Sequence, residues 1–419
     1  MHEMVSELFP ICRSITGNGF RQTMKAIAER IPLQITEVPS GTKVLDWTVP
    51  REWNISAGRL TDPNGSVVAD FENSNLHVMG YSVPVKAILP LSDLRTHLHT
   101  LPEHPDWIPY RTSYYREDWG FCLAHNQFQE LPEGNYEVLI DSTLEDGSLT
   151  FGECLLEGES REEVLISCHC CHPSLANDNL SGIAVATFLA DVLKRRSLRY
   201  TYRFLFIPGT IGSISWLALH EDVVDRIKHG LVVTCVGDPG PMTYKRTRHG
   251  DAVIDQAVLH VLEHSGNPYE VLEFTPYGYD ERQYSSPGFD IPVGSLMRTP
   301  NGRYPEYHTS ADNLDFVRPD SLADSLTQYA RVIEVLEGNR AYLNLSPKGE
   351  PQLGKRGLYS SIGGRDAAES QMALLWVLNQ SDGTHSLLDI AERARLEFAS
   401  VRVAATALEN AGLLEELRK

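Results

Sequence analysis

Hydrophobic and polar positions alternate in three different rhythms along the chain. Over residues 1–38 the spacing of Met24, Ile27 and Ile31 predicts a helix that Pro32 terminates, with a strand after it. Residues 39–149 carry short alternating runs such as Ser82 to Leu89. Four of the six tryptophans (Trp47, Trp53, Trp107, Trp119) also fall there, amid many Pro, Gly and Asn, which predicts a β-rich unit with irregular loops. From about 150 onward, short apolar runs alternate with amphipathic stretches. Glu163–Cys168, Arg203–Ile207 and Leu231–Val236 read as buried strands; Leu180–Leu193, Ser213–Lys228 and Val253–His264 read as helices. That order predicts an α/β fold: a mostly parallel or mixed sheet with helices on both faces, its chemistry in loops beyond the carboxyl ends of the strands.

A Pro- and Gly-rich linker follows at 344–357. Beyond it, short helices at Gln371–Asn379, Ser386–Glu397 and Ser400–Ala411, then a Gly stop and a short terminal run, resemble a winged helix-turn-helix. The expected division is an α/β domain over 1–38 and 150–343, an inserted β domain over 39–149, and a winged-helix-like domain over 344–419.

Composition narrows the function classes. The sum of 37 Lys+Arg and 56 Asp+Glu is −19, a field that repels a phosphate backbone. From residue 345 on there are nine basic and ten acidic residues, so an interaction module is favoured over a DNA reader and nucleic acid is an unlikely partner. The N-terminal residues lack the basic, apolar pattern of a secretory leader. No apolar run approaches the roughly 20 residues that span a bilayer. Seven cysteines, three of them at Cys168, Cys170 and Cys171, do not suggest a disulfide framework, so the expected compartment is the cytoplasm.

The densest chemical signal runs from Ser167 to Gly182, where a buried strand gives way to a helix. It holds His169, His172 and Asp178 within ten positions. Asp178 and Asn179 could cap the helix, but capping does not account for two imidazoles beside them. A closed Cys/His zinc knot is disfavoured because alternate side chains of a strand point to opposite faces. His308 is the second signal, with Asp312 four residues on as the candidate to orient its ring. Asp238, an acid where an apolar strand stops, is the third. The fourth is the charged and aromatic run Tyr279-Asp280-Glu281-Arg282-Gln283-Tyr284, which matters if it faces the cleft of His308.

Taken in order, these residues resemble the zinc-dependent aminopeptidase superfamily that also contains the glutaminyl cyclases. The resemblance implies metal ligands at His169, Asp178, Asp238 and His308, with His172 as an additional imidazole. A bacterial branch is closer still, on Pro39–Pro50, Ser113–Cys122, Cys171-His172-Pro173, Asp280-Glu281-Arg282 and Tyr307–Ser310. It implies an inserted β domain and a C-terminal winged helix. Two departures stand out. Pro208-Gly209 occupies the place of the family's Glu pair, and Cys171 stands where a supporting Asp is usual. Both remove oxygen ligands and point to one zinc ion rather than two. The expectation is a zinc-dependent hydrolase of a peptide or amide bond in a small-molecule or peptide substrate. Glu281 is the first candidate for its base and Glu306 the second. The alternative is an inactive ligand-binding module coupled to the winged helix. No membrane partner is expected, and a homo-oligomer is left open.

Overall fold

The computed structural model describes residues 1–358 and 365–417. The chain divides into two compact units: residues 1–250 with 270–326, and residues 251–269 with 327–419.

An eight-stranded mixed sheet organises the first unit. Its strands are β1 (Gln34–Pro39), β2 (Ser148–Leu156), β3 (Glu163–His169), β4 (Thr201–Ile207), β5 (Ile227–Val233), β6 (Met242–Lys245), β7 (Tyr269–Leu272) and β8 (Val293–Met297). They lie in the order β1-β2-β4-β3-β5-β8-β6-β7. The centre is parallel, β4 and β5 flanking β3 and β8 pairing with β5, whereas β1, β2 and β6 pair antiparallel. Every residue of β3 and β4 is buried. A strand sealed on both faces needs apolar side chains at consecutive positions, which is why these runs do not alternate.

The chain leaves β3 for β4 on one side and returns from β4 to β5 on the other. The strand order therefore reverses beside β3, and its carboxyl end opens into the crevice where such sheets place ligands. His169 is the last residue of β3.

Between β1 and β2 the chain builds a four-stranded antiparallel sheet, ordered Val67–Asp70, Glu52–Thr61, Asn135–Glu145, Val85–Pro90. Leu60, Val78, Leu94, Phe121, Tyr136 and Ile140 give it a core of its own. Asn135–Glu145 alternates exposed and buried residues along most of its length, the signature of a sheet with one wet face.

In the second unit, Asp382–Ser386, Ala341–Asn344 and Leu414–Glu416 form a three-stranded sheet beside helices Leu387–Ala394 and Phe398–Asn410. Ser386 starts the first of these helices through a capping box: its Oγ accepts from the Asp389 amide while the Asp389 carboxylate accepts from the Ser386 amide. Helix Val253–Glu263 belongs to this unit. Its His260 accepts the Phe398 amide on Nε2 at 2.9 Å and pairs with Glu392 through Nδ1.

Candidate metal centre

The end of β3 is clasped before the site begins. Cys170 N donates to Ile207 O at 2.8 Å, and buried Arg13 donates from Nε to His172 O at 2.9 Å. These bonds hold the loop that carries His172. Asn179, not Asp178, does the capping. Its Oδ1 accepts from the Gly182 amide that opens helix Gly182–Leu193 and from the Cys235 amide beyond β5, both at 3.2 Å. Its Nδ2 donates to Val233 O at 3.0 Å and His169 O at 3.2 Å. One side chain thus ties together the ends of β3 and β5 and the helix start, leaving the Asp178 carboxylate free to face the crevice.

Three imidazoles converge on that carboxylate. His169 Nε2 lies 2.8 Å from Asp178 Oδ1, and His308 Nε2 lies 3.0 Å from Oδ2. His172 Nδ1 is 3.5 Å from Oδ2, is buried, and has no hydrogen-bond partner. Donor atoms of His169, His172 and Asp178 all lie within 4.8 Å of one another. Tyr279 adds a fourth contact, donating from its hydroxyl to Asp178 Oδ1 at 3.1 Å, and its ring stacks on His169. Burial would raise the Asp178 pKa, but the nearby His172 and hydrogen bonds from His169 and His308 hold it well below the usual carboxylate range. Burial also lowers the His308 pKa, against the pull of Asp178. A fully buried carboxylate facing three nitrogen donors, one of them orphaned, is a donor set that suits zinc or another divalent transition metal.

Loops of the insert complete the walls. Tyr110 packs edge-on against His172 and His308 at 5.2 and 5.1 Å, and its amide donates to His308 O at 2.8 Å. His308 itself has φ +58°, a conformation uncommon outside glycine. In front of the histidines lies a cavity of about 330 Å³, lined by His169 and His172, by Trp47, Tyr114 and Tyr115 of the insert, and by Tyr279, Asp280 and Tyr307.

Other expected residues fall elsewhere. Asp238 is buried with both oxygens engaged: Oδ1 by Thr299 Oγ1 and Gly240 N, Oδ2 by Asn177 Nδ2 and Thr299 N. Four donors fill its acceptor capacity, so it braces loops rather than joining the cluster. Glu281 points to the buried Lys245, its Oε1 accepting from Nζ at 2.8 Å. Glu306 is half-buried in the turn before His308, and neither glutamate lines the cavity. Asp312 does not orient His308. It accepts the amides of Asn177 and Asp178 at 2.6 and 3.0 Å. Burial pushes its carboxyl up to about 8, against the pull of the Asn177 amide. Tyr110 is not singled out by the sequence, Tyr279 enters only within the charged and aromatic run 279–284, and Asp312 is read as a partner of His308 rather than of the Asn177 and Asp178 amides.

The fold is that of the aminopeptidase-like proteins. Likeness to a Bacillus subtilis zinc aminopeptidase extends over 80% of this chain and 93% of that one, with TM-score 0.57 at 13% identity. For a Shewanella amazonensis M28 peptidase precursor the figures are 80%, 92%, 0.56 and 14%. At such identities the fold alone is shared. Residues 2–339 match the model of a domain of unknown function, DUF4910, and the chain belongs to that family; residues 340–416 match a winged helix-turn-helix. A Clostridium acetobutylicum relative, whose name gives polysaccharide biosynthesis and an aminopeptidase-like domain, is 56% identical over 99% of this chain and 96% of its own. A crystal structure from the same organism, named for a peptidase, superposes with TM-score 0.95 at 54% identity, covering 99% of this chain and 96% of that one.

Among the described residues no helix is long and apolar enough to cross a membrane.

Proposed function

We propose that this chain is a hydrolase of a peptide or amide bond that holds one zinc ion between His169, His172 and Asp178, with His308 beside them. The observation that carries this reading is the convergence of three imidazoles on one buried carboxylate at the strand-order reversal. One ion rather than two follows from the donors on hand, since Asp238 is spent on loop contacts. A bound zinc would polarise the carbonyl under attack. The chain's own groups do the rest. Tyr279 donates to Asp178 and fixes the orientation of its carboxylate, while Tyr110, packed on two histidines, fixes their rings and excludes water. The aromatic walls bind the substrate side chain next to the cleaved bond.

Elemental analysis of untagged protein purified without chelator tests this reading. About one zinc per chain is expected, falling below a tenth of that in His169→Ala, together with hydrolysis of some members of an aminoacyl-p-nitroanilide panel. Zinc without hydrolysis would favour the ligand-binding alternative, which the missing Glu pair at Pro208-Gly209 supports. No zinc bound or taken up would overturn the metal site.

A further inference from the structure

A hydrolase of this kind needs a group that accepts the proton of the attacking water, within hydrogen-bond reach of it. Glu281 also has an unpartnered Oε2, but its Oε1 is held by Lys245 and it does not line the cavity, and the strand end Ile207-Pro208-Gly209 carries no acid. A side chain at Gly209 would nonetheless project toward the site, since a Cβ built there sits 3.7 Å from that of His169. That spot is reached from a different part of the chain. Asp280 is 1% exposed, and its Oδ1 accepts from Thr210 N at 2.7 Å and from Ser213 Oγ at 2.8 Å. Its Oδ2 has no partner at all. The residue lines the same cavity as His169 and His172. One oxygen pinned by two donors fixes the carboxylate plane, and the other is left as an acceptor at a buried place. Buried acceptors without partners are costly, and their usual justification is a ligand or a reacting group. Asp280 is not among the donors that lie within 4.8 Å of one another.

We propose that Asp280, rather than Glu281 or Glu306, is the catalytic proton acceptor, taking over from a separate loop the role left empty at Pro208-Gly209. The inference rests on the metal-hydrolase reading above. In the reaction, Oδ2 takes one proton from water as the water oxygen bonds to the carbonyl carbon. The C–N bond then breaks, and the same proton passes to the leaving nitrogen, giving a carboxylic acid and an amine. No oxidant or reductant is required. Thr210 and Ser213 are positioning residues that act through Asp280.

The test uses the full-length chain with zinc alone and with acetohydroxamic acid, which gives up a proton when it chelates zinc and so needs the same acceptor. Asp280→Asn retains an acceptor for Thr210 and Ser213, so the fold should survive, with a thermal midpoint within about 3 °C of wild type. Asp280→Ala is read in parallel in case the amide disturbs packing. The expected result is a zinc affinity within about threefold of wild type, an acetohydroxamate affinity at least tenfold weaker, and no such loss in Glu306→Gln. On any substrate the panel yields, kcat should fall about 10²–10⁴-fold with little change in KM. Loss of zinc from Asp280→Asn would make Asp280 a ligand and overturn the proposal. Unchanged zinc and acetohydroxamate binding would also overturn it, while the metal site stood. Wild-type protein that takes up no zinc would show instead that the underlying reading had failed.

Discussion

At the scale of single residues, the position of Asp178 is set from two sides. Imidazoles and the Tyr279 hydroxyl face its carboxylate, and Asp312 grips its backbone amide and that of Asn177. Asp312→Ala would leave two buried amides unpaired, at about 1–3 kcal/mol each. Denaturant unfolding of metal-free protein should therefore show a loss of about 2–6 kcal/mol, and zinc titration an affinity at least tenfold weaker. An undiminished zinc affinity would confine Asp312 to a purely structural role. The sequence points to the histidines and Asp178 because they crowd at one strand end, where chain proximity implies spatial proximity. It misleads on Asp312, since a four-residue spacing brings side chains together on a helix but 308–312 is a run of turns. Asp280 was legible only as a member of a charged run. Which neighbour of a pair faces the cavity is decided by tertiary packing, here by Lys245 drawing Glu281 away.

At the scale of elements, β3 and β4 are recognisable from their unbroken apolar runs, but β5 begins earlier than its pattern suggests. The expected helix to Lys228 stops at Leu219, a short helical turn follows at Glu221–Val224, and β5 starts at Ile227. Lys228 and His229 look like a polar helix face, yet pairing of His229 with Val164 of β3 buries the imidazole in the sheet. Its pKa is pushed down to about 4, by burial first and by Arg199 and Lys228 after it, and its Nδ1 has no partner. The folded state therefore binds fewer protons than the unfolded one between about pH 6.5 and 4. Stability from this residue is fully present above the unfolded pKa and is lost as pH falls through that window. A difference of roughly 2.5 pKa units corresponds to about 3 kcal/mol at the limit, of which about 2 is lost by pH 5. Urea unfolding at pH 7 and pH 5 should show His229→Gln losing about 2 kcal/mol less than wild type over that interval. Equal losses in the two proteins would place the acid sensitivity elsewhere.

At the scale of the whole first unit, the insert is what turns a generic α/β crevice into a specific one. The histidines and Asp178 come from the large sheet and its loops, whereas Trp47, Tyr114 and Tyr115 reach the cavity from residues 39–149. The insert is also stitched to the His308 loop: Ile108 N donates to Ser310 Oγ at 3.0 Å, and Pro109 bridges to Thr309. Composition marked this segment as aromatic and β-rich without saying which rings face the site, because that depends on a loop docking far away in sequence. Tyr115 is 53% and Trp47 43% exposed, and their rings meet edge to face at 5.5 Å at the cavity wall. Two large rings kept half in water, with no core to fill, are arranged to cover a ligand. Covering one apolar group with such a ring is worth about 1–2 kcal/mol, or roughly a five- to thirtyfold change in affinity. Tyr115→Ala should accordingly raise KM by that factor while zinc content and kcat hold, since the ring packs on Trp47 at the cavity wall. A fall in kcat at constant KM would mean that the insert acts on the reacting groups themselves, through Tyr110 and the His308 loop, and that the aromatic wall is scaffold rather than binding surface.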